Sequence, residues 1–194
     1  MMAAVSCSEY GAEVILAEKN EKCGKKLYIT GKGRCNITNN CFVEDFFDNV
    51  TDNPKFLYSA VYSFTQEDMC RFLESEGLKL KEERGKRIFP ASDRSSDVIK
   101  TFEKALKERN VKILLNTEIK ELNISDGRFV SASLTNGKKI SADAVIIATG
   151  GAGDSPEMIK ERMGYTWGED MFNFAIPGLK GDGIKMAMAA GAAT

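Results

Sequence analysis

The stretch GAEVILAE, residues 11–18, decides the fold class of this chain. Val14 to Ala17 form a short apolar run typical of a buried strand, and Glu18 ends it. Residues 1–10 are mostly small and apolar, so they predict a helix that Gly11 terminates. A helix, a terminating glycine and an apolar strand in this order are typical of the second half of a βαβ unit, which indicates an α/β fold.

The acidic end of this strand predicts what the fold binds. In dinucleotide-binding folds a carboxylate at the end of the second strand accepts hydrogen bonds from ribose hydroxyls, about 20 residues after a GxGxxG loop. Counting back from Glu18 puts that loop at or before residue 1. We therefore expect residues 1–194 to be a fragment of such a domain that lacks the first strand and the glycine loop. An ordinary helix–strand pair with a solvated Glu18 is the alternative.

A second glycine-rich segment, KKLYITGKGRCNITN, covers residues 25–39. Gly31 and Gly33 flank a lysine, and glycines admit positive φ, so that backbone N–H groups can converge on an anion. Basic and amide side chains in the same segment supply charge and hydrogen-bond donors. The segment therefore predicts an anion-binding loop, with an exposed turn as the alternative.

Residues 43–110 are predicted to be a mainly helical insertion. Thr65 opens a run with the spacing of a capping box, which starts a helix. Another helix is expected to begin at Ser96 or Asp97, with its apolar residues on one face. The run 79–87 carries charges of both signs and is interpreted as a solvated face or loop.

Strands are predicted after residue 110, with turns at Asp126-Gly127 and Asn136-Gly137. They cover residues 111–115, 118–122, 129–134 and 144–148. The middle strands predict an antiparallel β-meander. The last strand is apolar throughout, as expected for a parallel strand buried on both faces, and it runs into Thr149-Gly150-Gly151.

Two helices are predicted near the end of the sequence, over residues 155–163 and 184–190, with an irregular segment over 167–177 between them. The second helix follows the turn Gly181-Asp182-Gly183, where glycines allow a close approach of the backbone. A plain turn with a helix cap is the alternative interpretation.

Composition excludes several classes of site. With 27 basic and 28 acidic side chains, the net charge of −1 lacks the basic excess that marks nucleic-acid binders, so a nucleic-acid partner is not expected. No histidine is present, which excludes Ser-His-Asp and Cys-His catalysis within these residues. The five cysteines form no CxxC pair, so no metal site is expected. Because the sequence shows neither a bilayer-length apolar run nor a signal peptide, we expect no membrane partner and a cytoplasmic location.

Residues 24–39 resemble the signature of BaiN-like NAD(P)/FAD-dependent oxidoreductases, a bacterial flavoprotein family that includes dehydro-bile-acid reductases and aminoacetone oxidases. Residues 85–93, GKRIFPASD, are also similar to the pattern of that family. Residues 153–159 and the turn at 181–183 are more similar to fumarate-reductase-type flavoproteins.

The resemblance implies a fold and an activity. The fold is an FAD/NAD(P)-binding, glutathione-reductase-like three-layer α/β fold, with a mostly parallel sheet and a β-meander, here incomplete. The activity is that of an FAD-dependent oxidoreductase, in which hydride passes from NAD(P)H through the flavin to an activated double bond or imine of a small organic molecule.

The resemblance also implies where FAD binds. Glu18 would bind the ribose, the loop around Gly31 the phosphate and ribityl side, and Asp182 the far wall, while Ile119 would offer its backbone to the adenine. The predicted cofactor-binding residues are Glu18, Lys19, Lys26, Thr30, Gly31, Gly33, Arg34, Cys35, Asn36, Ile119, Thr149, Gly150, Gly151, Gly181 and Asp182. No catalytic acid and no oligomeric state are predicted.

Other functions stay open at this point. A fragment without its first strand would bind FAD weakly and do no chemistry, because its pyrophosphate cradle is missing. A fumarate-reductase-type ene-reductase, an NAD(P)-only dehydrogenase and a family member that acts on RNA are the remaining alternatives.

Overall fold

The computed structural model describes residues 1–172 and 175–193. The chain divides into two compact units. Unit 1 consists of Met1–Leu16 and Lys22–Ile113, and unit 2 of Ala17–Glu21 and Leu114–Thr194.

The beginning of the chain follows its prediction. Helix α1 covers Met2–Glu9 and is followed by strand β1, Ile15–Ala17. β1 pairs with β5, Lys112–Leu114, and the two strands run parallel, since the Lys112 N–H donates to the Val14 carbonyl and the Glu18 N–H to the Leu114 carbonyl, both over 2.9 Å. The predicted helix and strand are therefore confirmed.

The core of unit 1 lies beneath its longest helix. Helices α2 to α6 cover Lys25–Ile29, Val43–Asp48, Tyr58–Ser63, Gln66–Ser75 and Ser95–Glu108. α5 begins with the predicted capping box, in which the side chain of Thr65 accepts a hydrogen bond from the Asp68 N–H and the side chain of Asp68 accepts one from the Thr65 N–H. α6 begins at Ser95, one residue before its predicted start, and its apolar face supplies Val98, Phe102 and Leu106 to the core.

A three-stranded antiparallel sheet occupies part of the range expected to be a solvated face or loop. Its order is β2-β4-β3, from Thr38–Asn39, Arg87–Pro90 and Leu80–Glu83. Gly85 and Lys86 turn the chain between β3 and β4 with φ of 76° and 58°. Residues 79–87 therefore lie in two strands and the turn between them rather than in a loop, while most of their side chains are exposed, in agreement with the interpretation as a solvated face. The extent of the insertion at 43–110 stays a prediction.

Unit 2 contains the predicted meander. Strands β6, β7 and β8 cover Ile119–Ser125, Arg128–Leu134 and Lys139–Ser141, and they pair in that order, antiparallel. Asp126 and Gly127 form the first turn with φ of 50° and 73°. Both turn predictions are confirmed, since β7 and β8 join across Asn136-Gly137.

The segment Ala144–Ala148 differs from its prediction as a buried strand. None of the described residues forms a backbone hydrogen bond with it, and Val145, Ile146 and Ile147 are 41%, 61% and 39% exposed. A strand is stable only where a neighbour satisfies its N–H and C=O groups. The apolar composition correctly marks a segment suited to burial, but it carries no information on which strand would pair with it.

The last helices follow their predictions closely. α7 covers Pro156–Met163 and is capped by the Ser155 hydroxyl, which accepts from the Met158 N–H. α8 covers Asp182–Ala189 and so begins two residues before the predicted 184. The irregular segment predicted over 167–177 includes residues 173 and 174, which lie outside the described residues.

Candidate functional site

The loop of residues 30–36 in unit 1 has an unusual backbone. Gly31, Lys32, Gly33 and Cys35 all have positive φ, of 57°, 58°, 83° and 61°. For the two non-glycine residues this conformation costs roughly 1–2 kcal/mol each, so the surrounding structure must hold it. Two internal hydrogen bonds help, from the Arg34 N–H to the Gly31 carbonyl and from the Cys35 N–H to the Thr30 carbonyl.

The two glycines of the loop have different surroundings. A Cβ at Gly31 would lie 2.8 Å from the backbone nitrogen of Asn36 and 3.2 Å from the ring of Phe89. A Cβ at Gly33 would meet nothing within 4 Å. Gly31 is therefore required both by its φ and by space, whereas Gly33 is required by φ alone.

Arg34 is bound by two carboxylates rather than open to an anion. Its Nε donates to Asp93 over 2.7 Å, and its terminal nitrogen donates to both Asp93 and Glu83. Its guanidinium also stacks 4.3 Å from the centre of the Phe89 ring. Lys81 completes the group, since its Nζ contacts Asp93 and lies 3.4 Å from Glu83.

These charges shift one another's protonation. The hydrogen bond from Lys81, followed by that from Arg34, lowers the pKa of the Asp93 carboxyl. The hydrogen bond from Arg34 likewise lowers the pKa of the Glu83 carboxyl, and the hydrogen bond to Asp93 raises the pKa of Lys81. Two cations and two carboxylates thus stay ionised together at neutral pH.

The remaining predicted residues of the loop region face different surroundings. The Thr30 hydroxyl donates to the Leu27 carbonyl over 2.8 Å, while Lys26 on α2 is half-buried and Asn36 is exposed. Cys35 is buried, and burial raises the pKa of its thiol. Cys35 is part of the buried core cluster of unit 1.

In unit 2, Glu18 lies at the carboxyl end of β1, as predicted. Its Oε1 accepts from the Asn20 backbone N–H over 2.9 Å and from the Asn20 side-chain amide over 2.6 Å. Its backbone is also fixed, since its carbonyl accepts from Thr117 over 2.9 Å. The carboxylate is half-buried and held in one orientation, which is what recognition of a ribose hydroxyl requires.

Two predicted residues far apart in sequence meet in unit 2. Lys19 Nζ lies 2.9 Å from the Asp182 carboxylate and 3.5 Å from the Gly178 carbonyl. The hydrogen bond to Asp182 raises the pKa of Lys19. Because the two side chains are 40% and 42% exposed, the pair contributes only about 0.2–1 kcal/mol to stability. Its significance lies in joining the end of β1 to the start of α8.

The two glycine turns of unit 2 also come together. Gly183, which is buried, has no room for a Cβ, which would overlap Thr149 Oγ1 and Ile147 Cγ2. A Cβ at Gly181 would overlap the Met158 sulfur in the same way. Thr149, Gly150 and Gly151 are exposed. Thr149 lies beside Gly183 in the first turn of α8. Ile119, at the start of β6, pairs with Leu134.

In each unit, residues that contact the predicted ones were missed by the sequence prediction. Asn20, Glu83, Asp93 and Gly183 are the ones that fix Glu18, Arg34 and the α8 turn. Asp93 ends the stretch 85–93 and Gly183 ends the turn 181–183, both of which the sequence analysis had selected. These two residues could therefore have been included in the predicted site. Within the described ranges, no group of side chains could hold a metal ion and no helix is long and apolar enough to cross a membrane.

Comparison with known proteins gives the family. The family model described as the HI0933-like protein Rossmann domain matches residues 1–187. The chain is 32% identical over 168 residues to a 3-dehydro-bile acid delta(4,6)-reductase of Clostridium scindens, which covers 87% of this chain and 40% of the relative. It is 27% identical over 151 residues to a ribosomal RNA dihydrouridine synthase of Escherichia coli, which covers 78% of this chain and 36% of the relative.

A solved structure agrees with this result. The open conformation of a flavocytochrome c3 fumarate reductase matches with a TM-score of 0.67 and 25% identity, over 98% of this chain and 38% of that chain. The chain thus spans 36% to 40% of the length of these relatives. The predicted dinucleotide-binding α/β fold and the resemblance to bile-acid-reductase and fumarate-reductase flavoproteins are confirmed. The chain belongs to the HI0933-like family of Rossmann-domain proteins.

Proposed function

We propose that the protein is an FAD-dependent oxidoreductase that reduces an activated double bond. The observation that carries the proposal is the Glu18 carboxylate, held by Asn20 at the carboxyl end of a parallel strand in a member of a Rossmann family. At this position a carboxylate accepts hydrogen bonds from the hydroxyls of an adenosine ribose. FAD contains an adenosine ribose and FMN does not.

Each unit, taken by itself, carries residues whose chemistry suits a dinucleotide cofactor. In unit 2, Glu18 would bind the ribose, and Lys19 and Asp182 would supply a donor and an acceptor beside it. In unit 1, the positive-φ backbone of the loop at 30–36 suits close approach to an anionic or polyhydroxylated group. When bound, FAD would accept hydride from NAD(P)H and pass it to the substrate. The protein's own contribution is to bind and orient the cofactor.

The names of two relatives support a double bond as the target. One relative is a 3-dehydro-bile acid delta(4,6)-reductase, and the other makes dihydrouridine in ribosomal RNA. Both names describe saturation of a carbon–carbon double bond that is conjugated to a carbonyl. A small organic substrate fits the net charge of −1 better than RNA does. A cytoplasmic location belongs to this proposal, since the described cysteines form no disulfide with one another.

RNA is the second candidate substrate because of the 27% identity to the Escherichia coli relative. Incubation of the reduced protein with a ribosomal RNA fragment and, separately, with a conjugated enone distinguishes the two. Reoxidation of the flavin by the enone alone supports the small-molecule assignment.

Glu18→Ala tests the cofactor site directly. Loss of a charged hydrogen-bond acceptor is expected to weaken FAD binding by about 2 kcal/mol, which is a roughly 30-fold rise in Kd. The measurement is a titration of cofactor-free protein with FAD, followed by flavin fluorescence.

Glu13→Ala is the matched control, because Glu13 is an exposed glutamate that precedes the same strand by two residues. Equal Kd values for the parent protein and the Glu18→Ala variant would remove Glu18 from the site.

A further inference from the structure

The loop of residues 30–36 needs an external support to keep its shape. Its backbone has positive φ at residues 31, 32, 33 and 35, and α2 and β2 on either side are only short elements. Cys35 anchors the loop in the core of unit 1. The polar contacts that reach the loop from distant parts of unit 1 are made through Arg34, whose partners lie 49 and 59 residues away in sequence.

We propose that Glu83 and Asp93 are positioning residues, which hold the 30–36 loop in its cofactor-binding conformation by clamping Arg34. The proposal rests on the proposed function, since it takes this loop to contact FAD. It assigns Arg34 a different task from the one its charge suggests, namely to fix the loop rather than to bind a phosphate.

The geometry of the clamp is specific. Asp93 accepts hydrogen bonds from both Nε and a terminal nitrogen of Arg34, and Glu83 accepts one from the same terminal nitrogen. A guanidinium can satisfy such a set of acceptors, whereas an ammonium has no planar fork. Stacking of the guanidinium on the buried Phe89 fixes its plane.

The clamp is itself anchored. Lys81 binds the second oxygen of Asp93, so that the carboxylate bridges two cations. The Asp93 backbone has a φ of 58°, and its N–H donates to the Pro90 carbonyl over 3.0 Å at the end of β4. Glu83 is the last residue of β3. The two carboxylates are therefore carried by the antiparallel β3–β4 pair, not by mobile side chains alone.

The positioning role predicts a change in FAD affinity opposite in sign to the change that charge alone would cause. If carboxylates near an anion-binding loop acted only through their charge, their neutralisation would strengthen the binding of FAD. If they position the loop, neutralisation weakens binding. The double variant Glu83→Gln with Asp93→Asn keeps the size of both side chains, which makes this comparison possible.

The experiment measures two quantities on this double variant. Amide hydrogen exchange of residues 30–36 in cofactor-free protein reports the loop alone, and the Kd for FAD reports binding. We expect faster exchange at Arg34 and Cys35, whose N–H groups close the loop. We also expect an about tenfold rise in Kd, the lower end of the range found for groups that support metal ligands. Arg34→Lys is expected to show the same two changes.

Glu82→Gln is the matched control, since Glu82 is an exposed neighbour of Glu83 that bonds Asn40 instead. Unchanged exchange in the double variant, or tighter FAD binding, would overturn the proposal. Faster exchange with an unchanged Kd would overturn the claim that Glu83 and Asp93 hold the loop for FAD, and would show that FAD binds elsewhere. If FAD does not bind to the parent protein, the proposed function fails, and the positioning of cofactor fails with it.

Discussion

Gly183→Ala is expected to destabilise the protein by about 3 kcal/mol, the upper part of the range for overpacking, because Gly183 itself is buried. The new methyl group would overlap Thr149 and Ile147. Both are β-branched, so neither side chain can rotate away without strain. The first turn of α8 must then move away from the 147–149 segment. For a chain of this size the loss corresponds to a fall in melting temperature of roughly 6–12 °C.

Gly151→Ala is the control for this substitution. It adds the same methyl group in the same unit, at a position with nothing within 4 Å. We expect its melting temperature to stay within about 2 °C of the parent value, since surface substitutions usually change stability by less than 0.5 kcal/mol. Equal stability of the two variants would show that α8 does not lie against this segment.

Gly31→Ala is expected to have the second largest effect, a loss of about 2 kcal/mol of stability. An alanine at this position is strained by the positive φ, which costs about 1 kcal/mol. In addition, its methyl group would lie 2.8 Å from the backbone nitrogen of Asn36. Backbone cannot give way as a flexible side chain does. The loop must therefore change its shape, and FAD binding should weaken with it.

Gly33→Ala provides the comparison, because it has positive φ without the close contact. Its loss of stability should stay near 1 kcal/mol. Melting temperature and the Kd for FAD are measured for both variants. A loss at Gly33→Ala as large as that at Gly31→Ala would mean that space around Gly31 is not the cause.

The features that could be predicted from the sequence are those encoded locally. The apolar run before Glu18, the Thr65 capping box and the turn at Asp126-Gly127 each depend on residues within a few positions of one another. Their physical causes are equally local, because caps and turns satisfy backbone groups of the same segment. For this reason they hold whatever the rest of the fold does.

The features that could not be predicted depend on pairs distant in sequence. Arg34 and Asp93 are 59 residues apart, and Lys19 and Asp182 are 163 apart. The charges of 79–87 correctly indicate a solvated face, but the sequence does not show which acid pairs with which base. The same reason explains Ala144–Ala148, where composition indicates a strand but cannot supply its neighbour.

The identity of the flavin held by the purified full-length protein tests the central claim most directly. Heat denaturation releases a non-covalent flavin, and chromatography separates FAD from FMN. The ribose-binding role proposed for Glu18 predicts a visible flavin spectrum and release of FAD alone, because the adenosine ribose is the part of the cofactor that Glu18 would recognise. Release of FMN alone, or no flavin bound after incubation with excess FAD, would contradict it.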